Sequence, residues 1–483
     1  GDGWGKMSAV TARALPDNFD RVHLVGIGGA GMSGLARLLL RRGAFVSGSD
    51  ARDTRHLAAL RALGAEVMIG HDPRHVGDIH TLIFSQAIPA GNPEVEEARR
   101  RGLRVVSRAA ALAALMRGFQ GLAVAGTHGK TTTTLMATVA MQACGADPSF
   151  VTGSDINEAG SNAHAGSGEI FIAEADESDG GFLLLEPFAA VVTNVEADHL
   201  DYYRQPADVD TAFARFVSGV DPDGFVVACL DDPGAARLIT ALRDSEGPKV
   251  PRVTTYGESV DAHVRVELAM VSPTGSTCEV VVRGRRLGEL TLRVPGRHNL
   301  LNAAGALAAG LELGLPATGL LTGLAGFAGV RRRFEAKGTV EGIRVIDDYA
   351  NHPTKLMAVL RTARDVADGG GVVVAFQPHL YSRTAAFAAE FGAALGLADA
   401  VVIMDVFGAG EREIPGAGGA AIAARVPLPA DRVVYEPSWS AAAGRVAAFA
   451  RPGDLVLTVG AGDVTLLGGE ILRVLAERAT LPS

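Results

Sequence analysis

The stretch from Gly121 to Thr134 constrains this chain more than any other. An apolar run, Gly121-Leu122-Ala123-Val124-Ala125, reads as a short buried strand. Gly126-Thr127-His128-Gly129 follows, then Lys130, four threonines and an apolar-periodic helix expected from Leu135. Strand, glycine turn, Lys-Thr and helix is how a nucleotide-triphosphate loop is built. Glycines let backbone N–H groups turn inward, a helix N-terminus favours anionic phosphate, lysine adds a point charge, and threonine can ligate Mg²⁺. The usual loop has about four residues between its glycines. Here only Thr127 and His128 separate Gly126 from Gly129, and Val124 stands where a first glycine is expected.

Upstream, Arg21-Val22-His23-Leu24-Val25 reads as a strand and runs into Gly26-Ile27-Gly28-Gly29-Ala30-Gly31, an intact G-x-G-x-x-G. A helix is expected from Met32 to Arg42, then a strand from Ala44 to Ser47 leading to Asp50. Glycines before a helix, with an acid about 20 positions on, make a dinucleotide fingerprint. Physically the pattern says only that backbone approaches a diphosphate, which NAD, FAD or a UDP-sugar would each supply. Leu82-Ile83-Phe84-Ser85 is another strand, with a polar loop containing Gln86 at the end where an open α/β sheet binds ligand. Val105 to Arg108 closes the unit, and His71 and His75 read as incidental loop histidines.

Downstream, the strand Ile170 to Ala173 ends in Glu174-Ala175-Asp176-Glu177-Ser178-Asp179. An apolar strand running into acid is the second half of a nucleotide site, the carboxylate holding Mg²⁺. Four acids in six residues need a compensating cation or solvent. Ala189 to Thr193 is a further strand, delivering His199 beside carboxylates near the same phosphates. Residues 221–295 change texture and suggest a small antiparallel sheet. Asn299 and Asn302 then share one face of an Ala-rich helix, a pairing suited to ligand hydrogen bonds. Arg333-Phe334 follows a Gly-rich link. The strands Ile343–Ile346, Val372–Phe376, Val401–Met404 and Leu455–Val459 each end in polar residues, as in a third α/β sheet with a ligand edge.

The expected fold is therefore α/β in three domains. These are a Rossmann-like N-terminal domain (21–112), a central P-loop ATPase-like domain with a small antiparallel sheet (113–327), and a Rossmann-like C-terminal domain (328–483). Residues 1–20 read as a tag remnant and N-terminal arm. A length of 483 residues and 48% hydrophobic content support large cores. A net charge of −9 leaves no basic surface for nucleic acid. Cys144, Cys229 and Cys278 are far apart, without metal spacing, and fit buried thiols in a reducing compartment. No apolar run reaches membrane-spanning length, and no signal peptide is read before the first strand.

Taken together, the phosphate loop Gly126 to Thr131, Glu174 in Glu-Ala-Asp-Glu-Ser-Asp, His199 in Glu-Ala-Asp-His, Asn299 with Asn302, Arg333 before Phe334, and Asp348 resemble the Mur ligases of peptidoglycan synthesis. The resemblance runs from Gly26 to Asp463. It implies ATP-dependent amide formation through an acyl phosphate, with UDP-N-acetylmuramate and L-alanine as substrates, ATP and Mg²⁺ (two ions) as cofactors, and the bacterial cytoplasm as location. It also turns the first domain toward UDP rather than NAD. By that resemblance Lys130, Glu174, His199 and Arg333 would be catalytic. ATP would be held by Gly126, Thr127, His128, Gly129, Lys130, Thr131, Thr132, Asn299, Asn302, Arg333 and Asp348. Thr131, Glu174 and His199 would ligate metal. The UDP-sugar would meet Gly28, Gly29, Ala30, Gly31, Met32, Asp50, Ser85, His128, Glu177 and Ser178, and the amino acid Tyr349, His379 and Arg383. Two positions depart from the family's usual Asp-Asp-Tyr-x-His-His-Pro-Thr-Glu: Asn351 replaces the first histidine and Lys355 the glutamate. Other readings of the residues are a ligase for a recycled murein tripeptide, a non-catalytic sugar-nucleotide sensor, and an NAD-dependent dehydrogenase.

Overall fold

The computed structural model describes residues 15–53, 55–153, 162–178, 180–196, 203, 205–245, 250–330, 332–408 and 411–480. The expected arm up to residue 14, and His199, lie outside them. The chain divides into two units. One is drawn from Gly1–Val195, Asp210–Val264 and Ala303–Leu324, the other from Glu196–Val209, Arg265–Asn302 and Ala325–Ser483.

In the first unit, five parallel strands, β1 (Arg21–Val25), β2 (Phe45–Asp50), β3 (Glu66–Ile69), β4 (Thr81–Phe84) and β5 (Arg104–Ser107), lie in the order β3-β2-β1-β4-β5. The order reverses between β1 and β4, and the carboxyl ends of strands at such a switch point form a ligand crevice. The glycine turn leaves β1 there, and Ser85 leaves β4. The following helix, α1 (Ala30–Arg41), starts two residues earlier than the sequence pattern indicated, so Gly31 and Met32 belong to its first turn. Helices α2 (Arg55–Ala62), α3 (Pro93–Arg100) and α4 (Arg108–Met116) complete this layer.

The unit's second sheet contains β6 (Gln120–Ala125), β7 (Ser149–Val151), β8 (Ala163–His164), β9 (Ile170–Glu174), β10 (Ala189–Val192), β11 (Phe225–Cys229) and β12 (Arg252–Gly257), in the order β12-β11-β10-β6-β9-β7-β8. All run parallel except β8. The expected antiparallel texture over 221–295 is thus half right. All five residues of β11 are buried, the mark of a strand covered on both faces, and β11 and β12 extend the parallel sheet. Alternation of buried and less buried residues begins only at β13 (Val264–Ser272).

Helix α5 (Lys130–Ala143) starts five residues before the expected Leu135. β-Branched residues are weak helix formers, which is why Thr131 to Thr134 read as a connector. Burial overrides propensity here: Thr133 and Thr134 are completely buried. The helix N-terminus therefore sits directly behind the phosphate loop.

The second unit holds the rest of β13 with β14 (Gly275–Val282) and β15 (Arg285–Leu292), the last two paired antiparallel. Its six-stranded sheet comprises β16 (Glu335–Val340), β17 (Ile343–Asp348), β18 (Val372–Phe376), β19 (Ala400–Ile403), β20 (Val433–Tyr435) and β21 (Leu455–Val459). The order is β16-β17-β21-β18-β19-β20, with only β16 antiparallel. Side chains alternate across a strand. Val372, Val374 and Phe376 pack with Leu356, Leu360 and Phe391 on one face, while Val373 and Ala375 pack with Val446, Leu467 and Ile471 on the other.

One polar cluster braces the first sheet. Asn92 caps α3, accepting from Glu94 N at 3.0 Å and Val95 N at 3.3 Å. This turns the fully buried Glu94 carboxylate toward three histidines. His75 Nδ1 lies 2.7 Å away, His71 Nδ1 3.3 Å and His23 Nε2 3.7 Å, and the Ser49 hydroxyl also donates to it. His71 and His75, read as incidental in the sequence, thus pin their loop to the sheet. Burial alone would raise the Glu94 pKa. The nearby His23 ring, with hydrogen bonds from Ser49 and His75, outweighs burial and holds it down to about 2. Its contribution to stability is present above the ordinary glutamate value of 4.5 and is lost as pH falls toward 2. The Glu94→Gln variant is expected to be less stable at neutral pH by about 2–3 kcal/mol. Its melting temperature should also change less than the wild type's between about pH 5 and about pH 3. Parallel pH curves from calorimetry would contradict this.

Candidate nucleotide-binding active site

The phosphate loop is set by the strands beside β6. Gly126 adopts φ +140°, and a β-carbon there would collide with the Thr193 hydroxyl at the end of β10. Asn194 clamps the loop's middle: its Oδ1 accepts from His128 N at 2.7 Å, and its Nδ2 donates to His128 O at 3.1 Å. Gly129, at φ +79°, is the N-cap of α5, and Gly29 is that of α1. No side chain among the described residues caps either helix. An uncapped first turn leaves backbone N–H groups to be satisfied by an anion.

Lys130 folds back over the loop, donating to Gly126 O at 2.8 Å and to both Glu177 oxygens at 3.0 and 2.8 Å. Burial by itself would lower the lysine pKa. Glu177, Asp176 and Glu174 reverse that and hold the ammonium protonated above its ordinary value. The compensating cation that the acidic run required is therefore Lys130. Burial likewise works against Asp176, but Lys130, the Ser178 N–H and Arg108 keep its carboxyl below the usual aspartate value.

Glu174, at the end of β9, has Oε1 bonded to the Thr131 hydroxyl at 2.9 Å. Its Oε2 accepts from the Thr152 hydroxyl at 2.9 Å and from Gly153 N at 3.0 Å. Carboxylate and hydroxyl oxygens are the hard donors that Mg²⁺ takes. Thr131 and Glu174 meet as expected for a cation site, and the third expected ligand, His199, lies outside the described residues.

A cavity of about 280 Å³ joins this region to the glycine turn. Of the residues expected to meet a UDP-sugar, Gly29, Ala30, Gly31, Met32 and Ser85 line it, as does Glu174. Asp50 instead accepts from Gly28 N at 2.8 Å and so shapes the turn. Glu177 is committed to Lys130, and His128 and Ser178 are not among the lining residues. The sequence reading missed Arg108, Thr152, Gly153 and Asp176, all of which line the cavity. Arg108 had a usable signal, since it directly follows the last strand of the first sheet.

In the second unit, the carboxylate of Asp348 accepts from Phe334 N at 2.7 Å and Ala350 N at 2.8 Å. Its partner Asp347 holds Arg332 Nε at 2.9 Å. Arg332 and Phe334 adopt φ +56° and +49°, a conformation that costs energy for bulky residues. The strained turn puts Arg333 between them and over the Tyr349 ring, 5.2 Å from its centroid. Tyr349, expected at the amino acid, thus sits with the arginine expected at ATP. His379 Nδ1 and Arg383 Nη1 pair at 3.2 Å. Asn299 and Asn302 are both on the helix Arg297–Glu312, but Asn299 Nδ2 donates to Pro295 O at 2.8 Å and so ties the first turn to the segment before it. Burial, then Arg333, push the neighbouring His298 down to about 4. The two departures meet each other: Lys355 Nζ lies 3.4 Å from Asn351 Oδ1.

Comparison with known proteins agrees with this geometry. Residues 21–120 match the model of the Mur ligase family catalytic domain, 124–310 the Mur ligase middle domain, and 332–462 the Mur ligase glutamate ligase domain. A UDP-N-acetylmuramate–L-alanine ligase of Acidothermus cellulolyticus is 57% identical over 463 residues, 96% of each chain. The enzyme of the same name from Saccharopolyspora erythraea is 55% identical over 96% of this chain and 94% of its own. Among solved structures, UDP-N-acetylmuramate-alanine ligase MurC from Thermotoga maritima aligns with a TM-score of 0.75 at 27% identity, covering 95% of this chain and 99% of that one. A murein peptide ligase from Psychrobacter arcticus shares the fold, with a TM-score of 0.68 at 22% identity over 96% and 99% of the two chains. With three family domains matched in order and relatives this similar along nearly its whole length, the chain belongs to the Mur ligase family.

Proposed function

We propose that this chain joins the amino group of L-alanine to the lactyl carboxylate of UDP-N-acetylmuramate, with ATP as phosphoryl donor, giving UDP-N-acetylmuramoyl-L-alanine, ADP and phosphate. The observation that carries this reading is the shared cavity: the glycine turn of a diphosphate site and Glu174 of the phosphate-loop region line one space. A reaction that brings a nucleotide-linked acceptor to a phosphoryl donor needs both together. The alanine end rests on the relatives, whose names specify it. No helix among the described residues is long and apolar enough to cross a membrane, and we place the reaction in the bacterial cytoplasm.

In this reading a carboxylate oxygen of the acceptor attacks the γ-phosphorus, and ADP leaves. The alanine nitrogen then attacks the acyl carbon, loses its proton, and phosphate departs. The first step brings an anion onto a polyanion, so preorganised positive charge dominates its catalysis. Lys130 supplies that charge at the β- and γ-phosphates, exchanging part of its bonding to Glu177 for phosphate oxygens. The N-terminus of α5 does the same along the phosphate chain. Thr131 and Glu174 would hold one Mg²⁺ and Glu174 with His199 a second; bound there, the ions screen the approaching charges. Arg108 faces the acceptor's anionic side. The family resemblance would assign further ATP contacts to Arg333 and Asp348, and the amino acid to His379 and Arg383.

Phosphate release from Mg–ATP should require both UDP-N-acetylmuramate and L-alanine, with the alanyl product seen by mass spectrometry. Release with the tripeptide L-alanyl-γ-D-glutamyl-meso-diaminopimelate in place of alanine would move the assignment to a recycling ligase. Binding of UDP-N-acetylmuramate without any ATP turnover would favour a sensor. Lys130→Ala is expected to lose turnover by a factor on the order of 10³ or more, and near-normal turnover would remove Lys130 from the chemistry. Arg108→Ala should raise KM for UDP-N-acetylmuramate by about 10–100-fold, the worth of a charge-assisted hydrogen bond. KM for ATP should change far less, and an equal rise in both would refute the placement.

A further inference from the structure

Asn162 belongs to neither ligand site, yet its bonds reach toward both. It is completely buried. Its Nδ2 donates to Ala30 O at 2.7 Å and to the Ser33 hydroxyl at 3.0 Å, gripping the first turn of α1 immediately behind the glycine turn. Its backbone carbonyl accepts from Thr152 N at 2.9 Å. Thr152 in turn bonds Glu174 through its hydroxyl, and Gly153 bonds the same carboxylate oxygen. Glu174 then holds Thr131 on the first turn of α5. An unbroken series of short hydrogen bonds thus runs from the diphosphate-binding helix to the cation-binding carboxylate. Its two ends, Ala30 and Glu174, open onto the same cavity.

The packing at Asn162 is as specific as the bonding. A β-carbon on Gly34 would lie 3.3 Å from the Asn162 side-chain amide and from its backbone oxygen, so α1 carries a glycine where the asparagine presses on it. Asn162 Oδ1 has no hydrogen-bond partner among the described residues. A buried amide with one end unsatisfied costs stability. The side chain is therefore held for what its donor end does, and that end is spent wholly on α1.

We propose that Asn162 is a positioning residue that couples sugar-nucleotide binding at the glycine turn to Mg–ATP binding at Glu174. The proposal rests on the assignment of those two ligands made above. A diphosphate settling on the N-terminus of α1 fixes that turn. Through Asn162 and Thr152, the fixed turn holds the Glu174 carboxylate in the orientation a Thr131-bound cation requires. Coupling of this kind is reciprocal, each ligand tightening the other by the same factor.

The test is calorimetric titration of UDP-N-acetylmuramate with and without Mg²⁺ and a non-hydrolysable ATP analogue, in the full chain. For the wild type the ratio of the two dissociation constants is expected to be about tenfold. For Asn162→Ala it should fall below about twofold, while each ligand alone binds within about threefold of wild type. Ser33→Ala removes one of the two side-chain bonds and should give an intermediate ratio; it decides the matter if Asn162→Ala does not fold. A wild-type ratio retained in a folded variant of lower melting temperature would overturn the proposal, leaving Asn162 structural. Equal loss of both affinities at constant ratio would overturn it too. Failure of the wild type to bind the sugar nucleotide would instead refute the functional reading itself.

Discussion

The site of the first unit depends on one act of charge compensation. Glu174 ends β9, Asp176 and Glu177 come directly after it, and Lys130 is the buried cation set among them. Without it, three carboxylates at the end of a covered strand would repel one another. With it, Glu177 is committed to the lysine and Asp176 is kept ionised, leaving Glu174 to face Thr131. The lysine is therefore structural before any ligand arrives. A phosphate chain entering the loop competes for a charge already in use, in surroundings that magnify electrostatic interactions.

Geometry around that charge is supplied by neighbouring strands rather than by the loop itself. β10 delivers Thr193 and Asn194, which close on Gly126 and His128. The segment after β7 delivers Thr152 and Gly153 to the far oxygen of Glu174. The bend of a loop with only two residues between its glycines is held from the neighbouring strand: Asn194 accepts from Thr127 N and His128 N, and with the Thr193 hydroxyl it donates to His128 O. The same economy recurs in the second unit, where two aspartates at the end of β17 hold a backbone turn of positive φ. They do so through backbone N–H groups and Arg332, leaving Arg333 stacked on Tyr349.

The two positions that depart from the family pattern make sense as a pair. Asn351 stands just before the helix Pro353–Ala367, and Lys355, in its first turn, reaches back to the Asn351 side-chain oxygen.

By itself the sequence determined the strands that end in the polar clusters, because continuous apolar runs flanked by glycine and polar residues admit little else; β3, β7, β8, β16 and β20, short or mixed with polar residues, it did not. It also determined the two glycine turns, which stand at strand ends. The parallel course of β11 and β12 escaped it, because a short apolar run is compatible with either sheet type. So did the early start of α5, where burial of four threonines overrides their local preference. Which acid serves which partner was decided only in three dimensions. Asp50 turned to the glycine loop, Glu177 to Lys130 and Asp348 to a backbone turn, and three histidines gathered on Glu94. A carboxylate's role is set by the donors that reach it, and those donors come from strands and helices distant in the chain. Spacing in one dimension does not encode their approach.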